Sequence, residues 1–203
     1  MRLLNYIPCK TTSRRIPQKN IKLYGKQRLV DYTINFANET KSKTLISTDK
    51  EALLATFNVD YLHLRSKEEA DSNLSNLEVM RRVLSDDKYK SFDYICLLQV
   101  THPVRSLKLY REMLEKIRGE YFGKVMISSF SDRFEKNSSG EGKHLIEGSF
   151  YMFPKSLLVT QRSLLTEFWH VPIGNSVALN IDETEDELKF LSYLKKKTGV
   201  NYE

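Results

Sequence analysis

The chain has 203 residues, 40% hydrophobic and 29% charged, which is enough for one domain with a sizeable core and too apolar for a disordered segment. No stretch approaches the roughly 18 apolar residues that span a bilayer, so no transmembrane helix is expected. The formal net charge of +6 suits nucleic acid or a polyanionic substrate; with no dense basic tract carrying interleaved aromatics, nucleic acid is the weaker reading.

The first residues, Met1 to Pro8, hold an apolar run too short for a signal peptide and read as a first strand from Leu3 to Pro8. Cys9 and Cys96 stand alone in apolar surroundings, as reduced thiols of a cytoplasmic protein do. Leu29, Val30, Ile34 and Ala37 give helical spacing over Arg28–Thr40. Thr44–Ser47 is a short strand. Thr48-Asp49-Lys50-Glu51 has the form of a capping box opening a helix through Phe57. Val59–Leu64 reads as a strand, Asn73–Leu84 as a helix and Tyr94–Gln99 as a strand buried on both faces. Ser106–Ile117 is a helix, Lys124–Ser129 and Ser149–Phe153 are strands, and Glu183–Lys197 is the last helix.

This alternation predicts an α/β fold with a mainly parallel central sheet covered by helices on both faces. Ligands of such sheets sit at the carboxyl ends of the strands, so the loops there are where chemistry is sought. One domain is expected over 1–203. Its one linker-like stretch, Asn137 to Lys143, reads as an exposed hairpin tip or flexible loop.

The loop after the first strand carries Lys10, Arg14, Arg15 and Lys19 with three hydroxyls and no glycine, so it is neither a P-loop nor a dinucleotide fingerprint. Such a loop suits a triphosphate, with lysine and arginine offsetting charge; a solvated surface is the alternative. Near the other end, Asn180 and Asp182 project to one side at i and i+2, which suits shared ligation of one Mg²⁺. Asp182-Glu183-Thr184-Glu185 also reads as an aspartate N-cap with Glu at N3. His63, His102, His144 and His170 show no metal-ligand spacing.

Ile7-Pro8-Cys9-Lys10-Thr11-Thr12-Ser13-Arg14-Arg15-Ile16-Pro17-Gln18-Lys19-Asn20-Ile21 resembles the nucleotide-binding signature of CMP-sialic acid synthetases, roughly IPARxGSKRIPxKNI. Ile46-Ser47-Thr48-Asp49 resembles that family's VSTD, and the run from Leu97 to Arg105 its LLQPTSPLR. Gly148-Ser149-Phe150-Tyr151 resembles NGAIYI, and the run from Leu179 to Asp186 resembles IDIDxxxD. The segments keep the family's order and span residues 7 to 186.

The resemblance implies a nucleotide-diphospho-sugar transferase-like fold and a cytidylyltransferase that joins CMP from CTP to an acidic sugar (sialic, pseudaminic, legionaminic or Kdo-like) for surface polysaccharide or glycan synthesis. It implies nucleotide contacts from Pro8, Lys10, Ser13, Arg14, Lys19, Asn20 and Arg65, with Lys10, Lys19 and Asp182 in catalysis. Gln99, Thr101 and Tyr151 would face the sugar, with Phe168-Trp169-His170 near them, and Asp182 with Asn180 would hold Mg²⁺. Thr12 stands where the family has glycine and Asn180 where it has the first aspartate; Asp71 aligns only loosely with its ELASD-like segment. These departures keep two other readings open: a nucleotidyltransferase for sugar 1-phosphates, and a non-catalytic nucleotide- or sugar-binding relative. Only Phe130 to Glu147 stands where the family builds a long dimer arm, so a monomer or a dimer with a reduced arm is expected.

Overall fold

The computed structural model of the chain describes every residue except 14, 71–73, 137–141, 161–162, 166–167, 174–177 and 201–203, and leaves aside the side chains of 131–136 and 142–144. Arg14, Asp71 and most of the Asn137–Lys143 stretch therefore lie outside the described residues.

The strands are β1 (Leu3–Cys9), the short pair β2 (Leu23–Tyr24) and β3 (Gln27–Arg28), β4 (Lys43–Thr48), β5 (Tyr61–Leu64), β6 (Tyr94–Leu97), β7 (Met126–Lys136), β8 (Gly142–Pro154) and β9 (Trp169–Pro172). The helices are α1 (Leu29–Thr40), α2 (Lys67–Ala70), α3 (Asn76–Val83), α4 (Leu107–Arg118), α5 (Leu157–Thr160) and α6 (Thr184–Thr198). Seven strands form one sheet in the order β5-β4-β1-β6-β8-β7-β9. β5, β4, β1 and β6 run parallel; β8 is antiparallel to both β6 and β7, and β9 is parallel to β7. The mainly parallel sheet expected from the sequence is thus present.

All seven residues of β1 are buried, as a central strand covered on both faces requires. Leu3, Ile7 and Cys9 join one core with α1, α4 and α6. Leu4 and Tyr6 join a second with α3 and the β8 residue Phe153. Asn5, buried in the same strand, is satisfied: its Oδ1 accepts from the Tyr110 hydroxyl at 3.0 Å, and its Nδ2 donates to Thr40 Oγ1 at 3.0 Å. Burial also pushes the Cys9 thiol up to about 12, so it is an inert packing group. Among the described residues no helix is long and apolar enough to cross a membrane.

Three local expectations change. Thr48–Glu51 opens no α-helix; Thr48 is the last residue of β4, and Glu51–Thr56 is a 3-10 turn preceded by Lys50 without a side-chain cap. The helix expected from Asn73 starts at Asn76, where Ser75 Oγ accepts from Glu78 N at 3.2 Å and the Glu78 carboxylate accepts from Ser75 N at 2.8 Å. Strands β7 and β8 run past the expected ends at Ser129 and Ser149, since each supplies the other's ladder partners across shifts in register.

Candidate active site

The carboxyl ends of β1, β4 and β6 lie side by side, with Cys9 paired to Thr48 and Tyr6 to Leu97. The basic loop leaves β1 there. Asp49, at the end of β4, accepts from Thr11 N at 2.7 Å, and Asn20 Nδ2 donates to Lys10 O at 2.7 Å. These two side chains tie the loop at both ends, which is how it holds a path without glycine at Thr12. The turn is completed at Gln18, whose φ of 53° is left-handed. The tethered loop encloses a cavity of about 530 Å³ lined by Lys10, Thr11, Thr12, Ser13, Gln18 and Lys50. Its hydroxyls and two lysines are groups that suit a polyanion.

Lys19 turns the other way. It is only 6% exposed, and its Nζ donates to Ile181 O at 2.6 Å and Asp182 Oδ1 at 2.8 Å. Arg15 Nη2 reaches the same Asp182 oxygen at 3.0 Å, while its Nη1 donates to Glu183 at 3.0 Å. Asn180 Nδ2 donates to Asp182 Oδ2 at 3.0 Å. Burial opposes the Asp182 charge, but the Lys19 hydrogen bond and the Lys19 and Arg15 charges outweigh it and hold the carboxyl below the usual range. Asp182 keeps 31% of its side chain exposed beside Arg15 at 57%, so it remains reachable.

The capping alternative for Asp182 is resolved one residue on. Glu183 is the N-cap of α6, and Asp186 accepts from Glu183 N at 3.0 Å and Asp182 N at 3.1 Å. Asp182 is thereby left to the site.

Ile181 N donates to Thr101 O at 2.8 Å, which joins the Asp182 segment to the loop after β6. Tyr151 pairs with Leu97 across β6 and β8, and its phenol, raised by burial, lies within hydrogen-bonding reach of the Gln99 side chain. Gly148 is required beneath them: with φ of 86°, a Cβ there would stand 3.0 Å from the Tyr151 hydroxyl. His170 sits one strand beyond Tyr151, across Ile127, and Trp169 packs edge-on against Tyr121 at 4.9 Å.

The structure thus brings together Lys10, Ser13, Lys19, Asn20, Gln99, Thr101, Tyr151, Asn180 and Asp182 on one end of the sheet. Pro8 is buried within β1. Arg65 does not line the cavity; it is buried against the end of β4, with its Nε donating to Ser47 Oγ at 2.9 Å and its backbone N to Thr48 O at 2.7 Å. Arg15 was expected only as one of the loop cations, not as a partner of Asp182 and Glu183, and Asp49 and Lys50 were given no contact from sequence. The VSTD-like segment was the available signal for Asp49; the other two are surface-type cations until the loop is folded.

His102 shows how firmly the β6 loop is seated. Its Nε2 donates to Glu147 O at 2.8 Å, so the neutral ring accepts at Nδ1 from Thr101 Oγ1 at 3.2 Å. Burial, then the Arg105 charge, lowers its pKa from 6.5 to about 4. The unfolded chain takes up this proton first, so the stability is complete above 6.5 and is lost as pH falls toward about 4. A shift of this size is worth about 3 kcal/mol. Urea titrations are expected to show that loss in wild type, and a flatter profile between those pH values in His102→Gln.

A sheet with this order, with a basic strand-end loop beside a carboxylate–lysine pair, is consistent with a nucleotidyltransferase. A family model described as Cytidylyltransferase matches residues 6–141, more than half of the chain, and the chain belongs to that family. It is 22% identical, over 90% of each chain, to the CMP-N,N'-diacetyllegionaminic acid synthase of Legionella pneumophila. Among solved structures it is similar to a CMP:2-keto-3-deoxy-manno-octonic acid synthetase complexed with CTP, with a TM-score of 0.72, 13% identity, and 97% and 100% of the two chains covered. A cytidylyltransferase from Leptospira borgpetersenii matches with a TM-score of 0.64 and 15% identity over 99% and 97%.

Proposed function

We propose that the protein transfers CMP from CTP to the anomeric hydroxyl of an acidic sugar, with release of pyrophosphate. The observation that carries this reading is the placement of Asp182, which the Ile181–Thr101 bond holds against the Gln99 loop and Lys19 ties to the phosphate loop. The names of the similar synthases, which make CMP derivatives of acidic sugars, support the acceptor class.

In the proposed reaction the hydroxyl oxygen bonds to the α-phosphorus while the α–β bridging P–O bond breaks and pyrophosphate departs. The proton passes to solvent, because a carboxyl held as acidic as Asp182 is a poor base. Lys10, Lys50 and the loop amides cradle the phosphates; Gln99 and Tyr151 orient the sugar by hydrogen bonding. Positioning and charge neutralisation carry most of the rate in such transfers.

The donor set around Asp182 is one carboxylate and the Asn180 amide, and among the described residues no cluster of three or more His, Cys, Asp or Glu could hold a metal ion. This is thin for a free ion but fits Mg²⁺ arriving on a triphosphate, which needs one or two carboxylates beside phosphate oxygens. When bound, Mg²⁺ would neutralise charge at the phosphates. Asn180→Asp would face Asp182 with a second carboxylate. It is expected to lower Tm without metal and to give a larger Mg²⁺-induced rise in Tm than wild type.

CTP-dependent pyrophosphate release with a panel of sugar acids tests the function. Turnover of at least one acid and none of the sugar 1-phosphates is the expected result. Turnover of sugar 1-phosphates alone, or CTP binding with no turnover, would overturn it.

A further inference from the structure

On the helix side of the sheet, away from the phosphate loop, a cleft of about 450 Å³ opens between α1, the turn at 103–105 and α6. Small-ligand sites span roughly 300–1,000 Å³. A second cavity of about 180 Å³ adjoins it, sharing Val104, Arg105 and Tyr193. The transfer reaction uses neither.

The cleft wall carries the rings of Tyr32, Phe36 and Tyr193, and the rim carries the amides of Gln27 and Asn35. Lys26, Arg105 and Lys197 line it against a single carboxylate, Glu39. Arg105 is the unusual member. Its Nε donates to Ser149 O at 3.1 Å, its Nη1 to Thr33 Oγ1 at 3.1 Å, and its Nη2 to Gln99 O, while the guanidinium lies 5.8 Å over the Phe36 ring. All three of these oxygens are neutral. Enclosure lowers the guanidinium to about 10, with the Glu147 charge across the smaller cavity only partly opposing this. Arg105 is half-buried, and a cation so enclosed and bonded only to neutral groups is costly to hold; an anion that pairs with it lowers that cost. Three of the five N–H groups are used, which leaves donors for a ligand.

We infer that this cleft binds a nucleoside monophosphate as a second, regulatory ligand, with its phosphate against Arg105, Lys26 and Lys197 and its base against Tyr32, Phe36 and Tyr193. Inorganic phosphate leaves the aromatic wall unused, and a neutral aromatic leaves Arg105 without an anion. The Nη2 bond to Gln99 O is the coupling. A ligand that draws the guanidinium into the cleft weakens that bond, and the loop carrying Gln99 loses part of its support.

The test is equilibrium dialysis of the full chain with radiolabelled CMP, comparing wild type with the double variant Lys26→Glu, Lys197→Glu. Both lysines are exposed rim groups, so folding and basal turnover are expected to be unchanged. The double variant is expected to bind one CMP per chain fewer than wild type, whatever the CTP site contributes. At saturating CTP, CMP is expected to raise KM for the sugar about threefold in wild type and not in the double variant. Equal stoichiometry in the two proteins overturns the inference. So does displacement of the cleft-bound CMP by inorganic phosphate as readily as by unlabelled CMP. Dialysis requires no sugar, so the inference can fail while the proposed function stands, and the reverse.

Discussion

Asp182→Ala is expected to reduce CTP-dependent pyrophosphate release by about a hundred- to a thousandfold while the chain stays folded. Removing a single electrostatic contact from a transfer site costs about 10²–10³ in kcat, and Asp182 is the one carboxylate joining the sugar loop, the phosphate loop and α6. The structure also says where any loss of stability comes from. The start of α6 is held by the Glu183 N-cap and the Asp186 carboxylate, both of which the substitution leaves in place. The cost lies with Lys19, whose buried ammonium keeps Ile181 O but loses its carboxylate, for about 1–3 kcal/mol. Circular dichroism and Tm measure that part, and Asp182→Asn repeats the test with the side-chain shape kept. Turnover that survives in a folded variant would remove Asp182 from the reaction.

Lys19→Ala and Lys10→Ala are expected to fail in different ways. Lys10 lines the phosphate cavity, so its loss should raise KM for CTP about tenfold, the equivalent of one charge-assisted contact to phosphate. Lys19 holds Asp182 from behind and does not line that cavity. Its loss should lower kcat about a hundredfold with a smaller change in KM for CTP, because the carboxylate is no longer aimed. Lys19→Arg, which keeps the charge but not the compact ammonium that fits between Ile181 O and Asp182, should recover little. Equal effects of the Lys10 and Lys19 substitutions on KM would show that both contact phosphate directly.

The division between sequence and tertiary structure runs along the range of the interactions involved. Short-range patterns were readable. Leu3 to Pro8 is apolar but for Asn5 because it is covered on both faces, and α1 and α4 show their buried stripes at helical spacing. The basic loop and the Asn180–Asp182 pair were identifiable as chemistry because their residue types stand out locally. Boundaries set by partners were not readable. β7 and β8 lengthen because each supplies the other with hydrogen bonds, and β9 exists as a ladder partner of β7.

The roles of individual side chains divided in the same way. Thr48 to Glu51 has the form of a helix start, yet Thr48 ends β4 and the cap is not made, while Asp49 takes Thr11 N, which lies 38 positions away in sequence. Asp182 had two local readings of similar merit, cap and site. The register of α6 removes the first by placing the N-cap at Glu183 with Asp186 as its N3 partner. Lys19 looked like a phosphate cation beside Lys10, but the fold turns it inward onto a carboxylate 163 positions later. By itself the sequence determined the α/β class, the strand-end loops of the candidate site and the residue types available there. Which cation meets which carboxylate, and whether a charged group faces ligand or partner, only the tertiary structure decided. Ion pairs and hydrogen bonds act over a few ångströms of space, and separation along the chain carries almost no information about that distance.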